Sequence, residues 1–545
     1  MKSNITHILQ RISLLVALSF FVTACTDYLD VTPKDRVSDD YVWESASSAD
    51  LILNEIYGGI YAPINETDPI ENFSDNAINP MQYNAYSRST YNIGAYTPSN
   101  TPNNIWSGCY HYIRACNLFI ENVSVTDFNE DWKKLRLAEA RFLRAYYYHQ
   151  LWMQYGGVPI ITNVLDYNTQ GEQIFRERNT EDETFDFLVD ELQQIESDLP
   201  KIAESKGRVT QGAALTLKAW CELFKASPQR NPSNNKERWA TAASTYKKVI
   251  DLDVYELFPD YESLFYDDND NNKEYIFSKQ VLQGTGGSRE GFLGPSWVNG
   301  SLMSWNGSVP TQELVDSYVM ENGLPITDPA SGYDPQNPYV NREKRFYQSI
   351  CYYGSTWLGE YMEIPSNIAE PQGGSATGYY WRKTIDPKYT VFGYSQLSGA
   401  DWPFFRYAEV LLGYAEALNE ANGPTPEVYN AMNQVRERSD LPELEEGLTQ
   451  DQMRASIYRE RRVELAFEDK RWLDLLRLKL AESMINGYVL HGMQIEKQDN
   501  GTLTYSVVKN TFNIFQVFDR DKHYLLPIPQ RAMDKNDKLV QNPNY

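Results

Sequence analysis

The chain has 545 residues, of which 42% are hydrophobic and 23% charged, and its formal net charge is −24. This composition is that of a globular protein with a large core or several domains, and the acidic balance argues against nucleic-acid binding, because negative surface charge repels the phosphate backbone. Aromatic residues make up 13%, with 39 tyrosines and 12 tryptophans, which fits either an exposed aromatic binding surface or an aromatic-rich core.

The first 25 residues have the features of a bacterial export signal. Lys2 and Arg11 precede an apolar run over 12–22, which is too short to span a bilayer but suits a signal segment. The run leads into Thr23-Ala24-Cys25, which resembles the lipobox of bacterial lipoproteins with Val22 in place of the usual leucine. We therefore predict a signal peptide over 1–24, lipidation of Cys25 and a tether over 25–46. An ordinary signal peptide with an incidental cysteine is the alternative.

Helical periodicity recurs from residue 47 onward. It is clearest over 131–159, where apolar residues at steps of three, four and seven share one face: Leu135, Ala138, Phe142, Ala145 and Trp152. Gly156-Gly157 and Pro159 then end that helix. The same spacing predicts further helices over 47–61, 106–123, 180–199, 210–226, 238–252, 405–422, 426–438 and 451–485. Paired helices with alanine at close-approach positions resemble degenerate tetratricopeptide repeats.

Two long segments lack this periodicity. Residues 62–106 and about 256–402 are rich in Gly, Pro, Asn, Tyr and Trp, and predict loops and short strands with one helix near 312–320. Loops of this length are usually functional or disordered, and their aromatic content favours function. They interrupt a helical scaffold over about 107–255 and 403–485. Strand-like alternation returns in the tail at 503–508 and 513–517.

Catalytic and metal-binding motifs are weak. Glu464, Glu468 and Asp474 lie among arginines at i,i+3 spacing, which predicts helix-stabilising ion pairs rather than catalysis. No G-x-S-x-G or H-E-x-x-H motif occurs, although the sequence cannot exclude a glycosidase-like carboxylate pair. We predict no enzyme activity, no catalytic residues and no cofactor or metal. Oxygen ligands that could hold calcium lie close together at Asp267, Asp268 and Asp270, but the Gly and Glu of an EF-hand loop are missing and a solvated turn is favoured.

Four blocks of sequence carry a family resemblance. ARFLRAYYYHQLWMQYGGVPI, RYAEVLLGYAEALNEANG, RERRVELAFEDKRWLDLLR and YLLPIPQRAMDKNDKLVQNPNY, together with CTDYLDVTP after the signal, resemble the SusD/RagB family in its own order. The resemblance implies a mainly α SusD-like fold, with one domain over 47–545 in which tetratricopeptide-like helices support a variable ligand face. It also implies a surface-exposed outer-membrane lipoprotein that binds glycans, or less often peptides, and covers a TonB-dependent transporter of the SusC type.

Candidate ligand contacts follow from what a sugar requires. Sugar rings present apolar C–H faces and a rim of hydroxyls, so a site needs flat aromatic rings edged with polar groups. Two clusters match: Asp75, Asn76, Tyr83, Arg88 and Tyr96 in the first loop segment, and Trp297, Asn299, Trp305 and Asn306 in the second. Trp357 and Trp381 are weaker additions. For each aromatic residue, packing within the loops is the alternative, and for the chain as a whole, peptide capture or a protein-binding helical scaffold.

Overall fold

The structure is a computed structural model, and it describes residues 42–62, 68–80, 90–101, 103–284, 289–298, 301–364, 375–389, 397–509 and 516–545. The helices of its N-terminal half are α1 (Ala46–Gly58), α2 (Trp106–Ser124), α3 (Glu130–Tyr155), the one-turn α4 (Tyr167–Gln170), α5 (Glu181–Ile195), α6 (Gln211–Ala226) and α7 (Lys236–Ile250). All six helices predicted in this half are confirmed. Within the described ranges, no helix is both long and apolar enough to cross a membrane.

Local signals explain where these helices begin and end. The side chain of Asn129 accepts from the backbone N–H of Trp132 and caps α3, which ends at Gly156 with a positive φ of 75°. Thr180 and Glu183 form a reciprocal capping box at the start of α5. Ala138 and Ala145 are buried, as the small-residue face of α3 predicts.

The loop-rich segment contains short elements that pair over long distances. Its helices are α8 (Arg289–Leu293), α9 (Gln312–Val315) and α10 (Lys344–Ser349). The strands up to residue 406 are β1 (Ala77–Ile78), β2 (Tyr275–Lys279), β3 (Trp297–Val298), β4 (Ser301–Leu302), β5 (Val309–Pro310), β6 (Ile350–Tyr352), β7 (Thr356–Trp357), β8 (Glu360–Tyr361), β9 (Tyr379–Trp381) and β10 (Trp402–Arg406). They pair antiparallel as β1–β5, β2–β10, β3–β4, β6–β9 and β7–β8. The helix predicted over 312–320 is confined to α9, because Met320 bridges to Arg342 and Val319 donates to the Glu343 carboxylate.

The C-terminal part returns to helices. They are α11 (Tyr407–Asn422), α12 (Pro426–Arg438), α13 (Gln450–Glu464), α14 (Arg471–Arg477) and α15 (Ala481–Met484), followed by the hairpin β11 (His491–Lys497) and β12 (Leu503–Lys509) and by α16 (Gln530–Lys535). The predicted strand at 503–508 is confirmed as β12, while most of the one at 513–517 lies outside the described residues. The helix predicted from 405 begins at Tyr407, because Phe405 and Arg406 belong to β10.

The single long helix predicted over 451–485 is wrong. The chain breaks it into α13, α14 and α15, with positive φ at Phe467, Asp469 and Lys479. A distant side chain satisfies carbonyls at the end of α13 and just beyond it: Lys383 Nζ donates to the carbonyls of Glu464 and Ala466 at 2.9 and 2.8 Å. Tertiary contacts therefore replace the hydrogen bonds that would have continued the helix.

The described residues form two large apolar cores and a small third cluster around Leu264, Phe265 and Tyr275. The larger one is formed by the helices, where α7 packs against both α6 and α11. Gly413 of α11 lies so close to α7 that an added Cβ would meet the Tyr246 ring at 2.5 Å. The smaller core lies in the loop-rich segment and includes Trp381 stacked on Phe467, with ring centroids 4.2 Å apart. Cysteines 109, 116, 221 and 351 are buried free thiols.

Candidate ligand-binding face

The structure joins the two sequence-predicted regions. β1 pairs with β5, with Ala77 opposite Pro310 and Ile78 opposite Val309. Thr311 extends the junction: its backbone N–H donates to the carbonyl of Asn76 at 3.0 Å, and its hydroxyl donates to the carbonyl of Asp75, 236 residues away along the chain, at 2.7 Å. We call the joined unit, residues 70–80 and 303–311, the platform.

Asp75 and Asn76 point from the platform toward the helices. Asp75 is 1% exposed and accepts from Arg471 twice, Nε to Oδ1 at 2.7 Å and Nη2 to Oδ2 at 2.9 Å, while Arg462 lies 3.0 Å from Oδ2. Arg462 Nε also donates to Asn76 Oδ1 at 2.7 Å. Burial alone would raise the pKa of Asp75, but the two guanidinium groups outweigh it and lower that pKa. Asp75 and Asn76 thus fasten the platform to α13 and α14, and ligand contact by either stays a prediction.

Glu71 makes a second connection at the same place. Its carboxylate Oε1 accepts from Asn76 Nδ2 at 2.7 Å and from the backbone N–H of Phe467 at 3.2 Å, in the turn between α13 and α14. Oε2 is buried without a hydrogen-bond partner. Burial raises the pKa of Glu71 to about 7, against the lowering effect of Asn76 and the other partners. A carboxyl that titrates near neutral pH therefore lies beside the Asp75 ion pair.

In the second cluster, the ring of Trp305 reaches solvent. Trp305 is 45% exposed, and its backbone is fixed because its N–H donates to the carbonyl of Gly291 at 2.8 Å. The neighbouring Asn306 has a positive φ of 55° and a buried side chain whose amide atoms have no hydrogen-bond partner. Trp297 belongs to β3 and lies opposite Leu302 of β4. The geometry therefore offers the Trp305 ring as a surface on which a ligand can pack.

The other predicted contacts are placed differently or not described. Tyr96 is 1% exposed and stacks on Tyr91 at 5.0 Å, so its ring packs inside the protein. Trp357 and Trp381, the weaker candidates, are buried as well. Tyr83, Arg88, Asn299 and the lipidation candidate Cys25 lie outside the described residues. Ligand contact by any of these residues stays a prediction.

Sequence reasoning missed a polar group next to the platform. Glu313, at the start of α9, accepts from the backbone N–H of His491 at 3.1 Å and lies 2.7 Å from His491 Nδ1. The ring of Tyr488 packs edge-on to His491 at 5.7 Å and is 39% exposed. Glu313 comes from α9, His491 begins β11, and Tyr488 lies just before that strand, so no local spacing could have brought them together.

Buried ion pairs connect the loop-rich segment to α12 and α13. Their members are buried charged side chains linked through shared carboxylates: Glu274, Glu343, Arg345, Lys383, Arg406, Arg438, Glu460, Glu464 and Glu468. We call this set the charge layer. Glu464 is its centre, since Arg345 reaches its Oε2 at 2.9 Å and Arg406 its Oε1 at 2.6 Å, while Arg438 also bonds to Oε1. Burial would raise the pKa of Glu464, but three guanidinium groups outweigh it and lower that pKa.

Most of the ion pairs predicted along one helix are wrong. The i,i+3 spacing predicts the pairs Arg461–Glu464, Glu468–Arg471, Arg471–Asp474 and Asp474–Arg477. Only the last of these forms, at 2.8 Å. Arg461 instead pairs with Glu409 and Asp474, and Arg471 with Asp75. The broken helix turns these charges inward, so they join segments distant in sequence rather than neighbours on one helix.

The acidic turn at 267–270 is held by protein groups. Lys388 pairs with both Asp267 and Asp268, and the Tyr389 hydroxyl bonds to Asp267. Asp270 accepts from the backbone N–H of Asp401 at 3.0 Å. Among the described residues, no group of three or more acidic, His or Cys side chains has an arrangement suited to a metal ion. Calcium binding at this turn stays a prediction.

Comparison with known proteins decides the family. The model of the SusD family matches residues 273–545, half of the chain. The chain belongs to the SusD family. A second family model, described as "Starch-binding associating with outer membrane", matches residues 27–223 of this SusD-family protein.

Relatives confirm the predicted fold class over most of the chain. A SusD-like protein from Bacteroides fragilis is 28% identical with a TM-score of 0.79, covering 93% of this chain and 99% of its own. A SusD-like carbohydrate-binding protein from the same species is 26% identical with a TM-score of 0.75, covering 92% of this chain and 100% of its own. SusD-like protein P2 of Formosa agariphila is 26% identical over 81% of this chain and 80% of its own. None of these relatives is described as an enzyme.

Proposed function

We propose that this SusD-family protein is an outer-membrane lipoprotein, anchored through Cys25, that captures oligosaccharides at the cell surface and delivers them to a TonB-dependent transporter of the SusC type. The observation that carries the proposal is the exposed Trp305 ring on a platform joined to the helices through Asp75. The outer-membrane description of the family model and the carbohydrate-binding description of one relative support it.

The geometry suits capture without chemistry. A ring that is 45% exposed can pack against the C–H face of a sugar, and Glu313 and His491 at the neighbouring surface can bond to hydroxyl groups. Rigid attachment reduces the ordering entropy that a ligand must overcome on binding.

The direct test is Trp305→Ala, with isothermal titration against a panel of oligosaccharides. Burying a large aromatic side chain against a ligand contributes about 1.5–3 kcal/mol to the binding free energy. We therefore expect the affinity of Trp305→Ala for its oligosaccharide to be about 10- to 100-fold lower than that of the wild type. Tyr167→Ala is the matched control, because Tyr167 is also an exposed aromatic residue but lies in α4 of the helical scaffold. If the wild-type protein binds no glycan but binds peptides tightly, the sugar assignment is wrong.

Anchoring and delivery need separate measurements. We expect Cys25→Ala to abolish incorporation of labelled fatty acid and to release the protein from the membrane fraction. Trp305→Ala should keep association with the transporter while lowering glycan uptake. Loss of transporter association with intact glycan binding would instead indicate that this surface serves as a protein-binding scaffold.

A further inference from the structure

A groove of about 460 Å³ lies away from the platform residues, at the N-terminal end of α2. Its floor is apolar and includes Trp106, Tyr110, Pro159, Ile161 and Leu539. The walls are the connection that follows α3 and the C-terminal helix α16. Its volume is that of two or three amino-acid side chains rather than of a whole helix or domain.

The rim of the groove is basic. Arg176, Arg531 and Lys535 line it, and none of the described lining residues is acidic. None of these three side chains pairs with a carboxylate in the described part of the chain, whereas Arg141 and Arg144 of α3 both pair with Glu191. On a protein with a formal net charge of −24, three unpaired cations around an apolar floor suit an apolar side chain flanked by carboxylates.

We propose that this groove binds the protein's own segment 26–35, with Tyr28 and Leu29 on the apolar floor and Asp27 and Asp30 facing the basic rim. The segment has the required pattern, TDYLDVTPKD, in which two apolar residues stand between two aspartates. Over 26–41 the chain carries five aspartates against one lysine and one arginine, so its charge is opposite to that of the rim.

The connecting chain is long enough. Trp43, near the first described residue, packs on Phe119 of α2 with ring centroids 6.0 Å apart. Phe119 lies thirteen residues along α2 from Trp106 at the groove, which is about 20 Å at the rise of an α-helix. Thirteen residues also separate Leu29 from Val42, and they span up to about 40 Å when extended. Because the segment is attached, its effective concentration at the groove is of millimolar order.

Docking would place residue 25 within a few residues of the body. The body would then keep a fixed orientation relative to whatever Cys25 is attached to. Without docking, the whole of 26–41 would separate the two. This inference does not depend on lipidation or on glycan binding, since it concerns only contacts within the chain.

Disulfide trapping tests the proposal on the chain from 26 to 545. The variant Leu29→Cys with Ala532→Cys places one thiol in the segment and one in the groove, and the native cysteines at 109, 116, 221 and 351 are buried. The matched control is Leu29→Cys with Asp534→Cys, since Asp534 is exposed on the same helix and does not line the groove. A docked segment should cross-link to position 532 about tenfold faster than to 534 under mild oxidation, in the monomer.

Charge reversal supplies the second arm. Arg531→Glu with Lys535→Glu should slow trapping at 532 about fivefold, as expected for two partly exposed ion pairs, and adding Asp27→Lys with Asp30→Lys should restore the rate. Equal rates at 532 and 534, or a rate insensitive to charge reversal, would overturn the proposal. Cross-linked dimers in place of monomers would show that a second copy occupies the groove, which would also overturn it. Circular dichroism melting of each variant establishes that α16 remains folded.

Discussion

Asp75 fastens the platform to the helices, so Asp75→Asn should act mainly on stability. The substitution keeps the shape of the side chain and removes its charge. Arg471, which donates to both carboxylate oxygens at 2.7 and 2.9 Å, and Arg462 at 3.0 Å would then face a neutral amide while remaining largely buried. Removing one partner from a buried ion pair costs about 3–5 kcal/mol, a large fraction of the 5–15 kcal/mol that typical domains have.

The pH dependence of this loss has a defined sign. The folded pKa of Asp75 is lowered by its two arginines, so the stabilisation is present above the unfolded pKa of about 4 and is lost progressively as the pH falls below it. The difference in unfolding free energy between wild type and Asp75→Asn should therefore be largest near pH 7 and shrink in acid.

Urea unfolding followed by tryptophan fluorescence measures the effect. The control is Asp268→Asn, which removes a carboxylate from an exposed pair with Lys388 and should cost no more than about 1 kcal/mol. The double variant Asp75→Asn with Arg471→Gln should recover part of the loss, because it removes one of the unpaired charges.

Two results would refute the reasoning. One is a loss of stability in Asp75→Asn no larger than in Asp268→Asn, which would mean that the ion pair does not hold the platform. The other is unchanged stability with lost glycan binding, which would mean that the Asp75 carboxylate serves the ligand as the sequence pattern predicted.

Further predictions concern Glu71, Gly413 and Glu464. Burial raises the folded pKa of Glu71 to about 7, so the wild-type free energy of unfolding should fall as the pH rises from about 4.5 to 7. Glu71→Gln should remove about 3 kcal/mol of this fall. Equal pH profiles of the two proteins in urea titrations would contradict the prediction. Gly413→Ala should lower the free energy of unfolding by about 1–3 kcal/mol, because the added Cβ would lie 2.5 Å from Tyr246. The control is Gly423→Ala, where no atom lies within 4 Å of the added Cβ. It should cost only the backbone strain of its positive φ, about 1 kcal/mol. Glu464→Gln should cost about 3–5 kcal/mol, since three arginines lose their shared carboxylate; a loss below 1 kcal/mol would show that the charge layer contributes little.

The sequence predicted the helices well because their signals are local. Periodicity, alanine spacing and the glycines after α3 act within a few residues, and the structure follows them closely. The family blocks predicted the architecture, and the matched family model and solved relatives confirm it.

The remaining features depend on contacts between segments far apart in sequence. Nothing within residues 451–485 indicates that the Lys383 side chain donates to the carbonyl at the end of α13. Nor does it indicate that the Glu71 carboxylate accepts from the backbone N–H of Phe467 in the following turn. In the same way, Asp75 and Asn76 are residue types that suit a polar ligand site. The arginines that bond to them instead lie 386 and 396 residues away along the chain. Aromatic content likewise did not distinguish Trp305 at the surface from Tyr96 inside.

The charge layer has a consequence for how the ligand face can move. Ion pairs with defined donors and acceptors form only in particular geometries, so they add to apolar packing a strong preference for one relative position. Arg345 and Lys383 adjoin residues of the smaller core, Arg406 adjoins residues of the larger one, and all three share Glu464 or Glu468. Sliding of one core against the other would break these ion pairs, so we expect the loops and the helices to move together when a ligand binds.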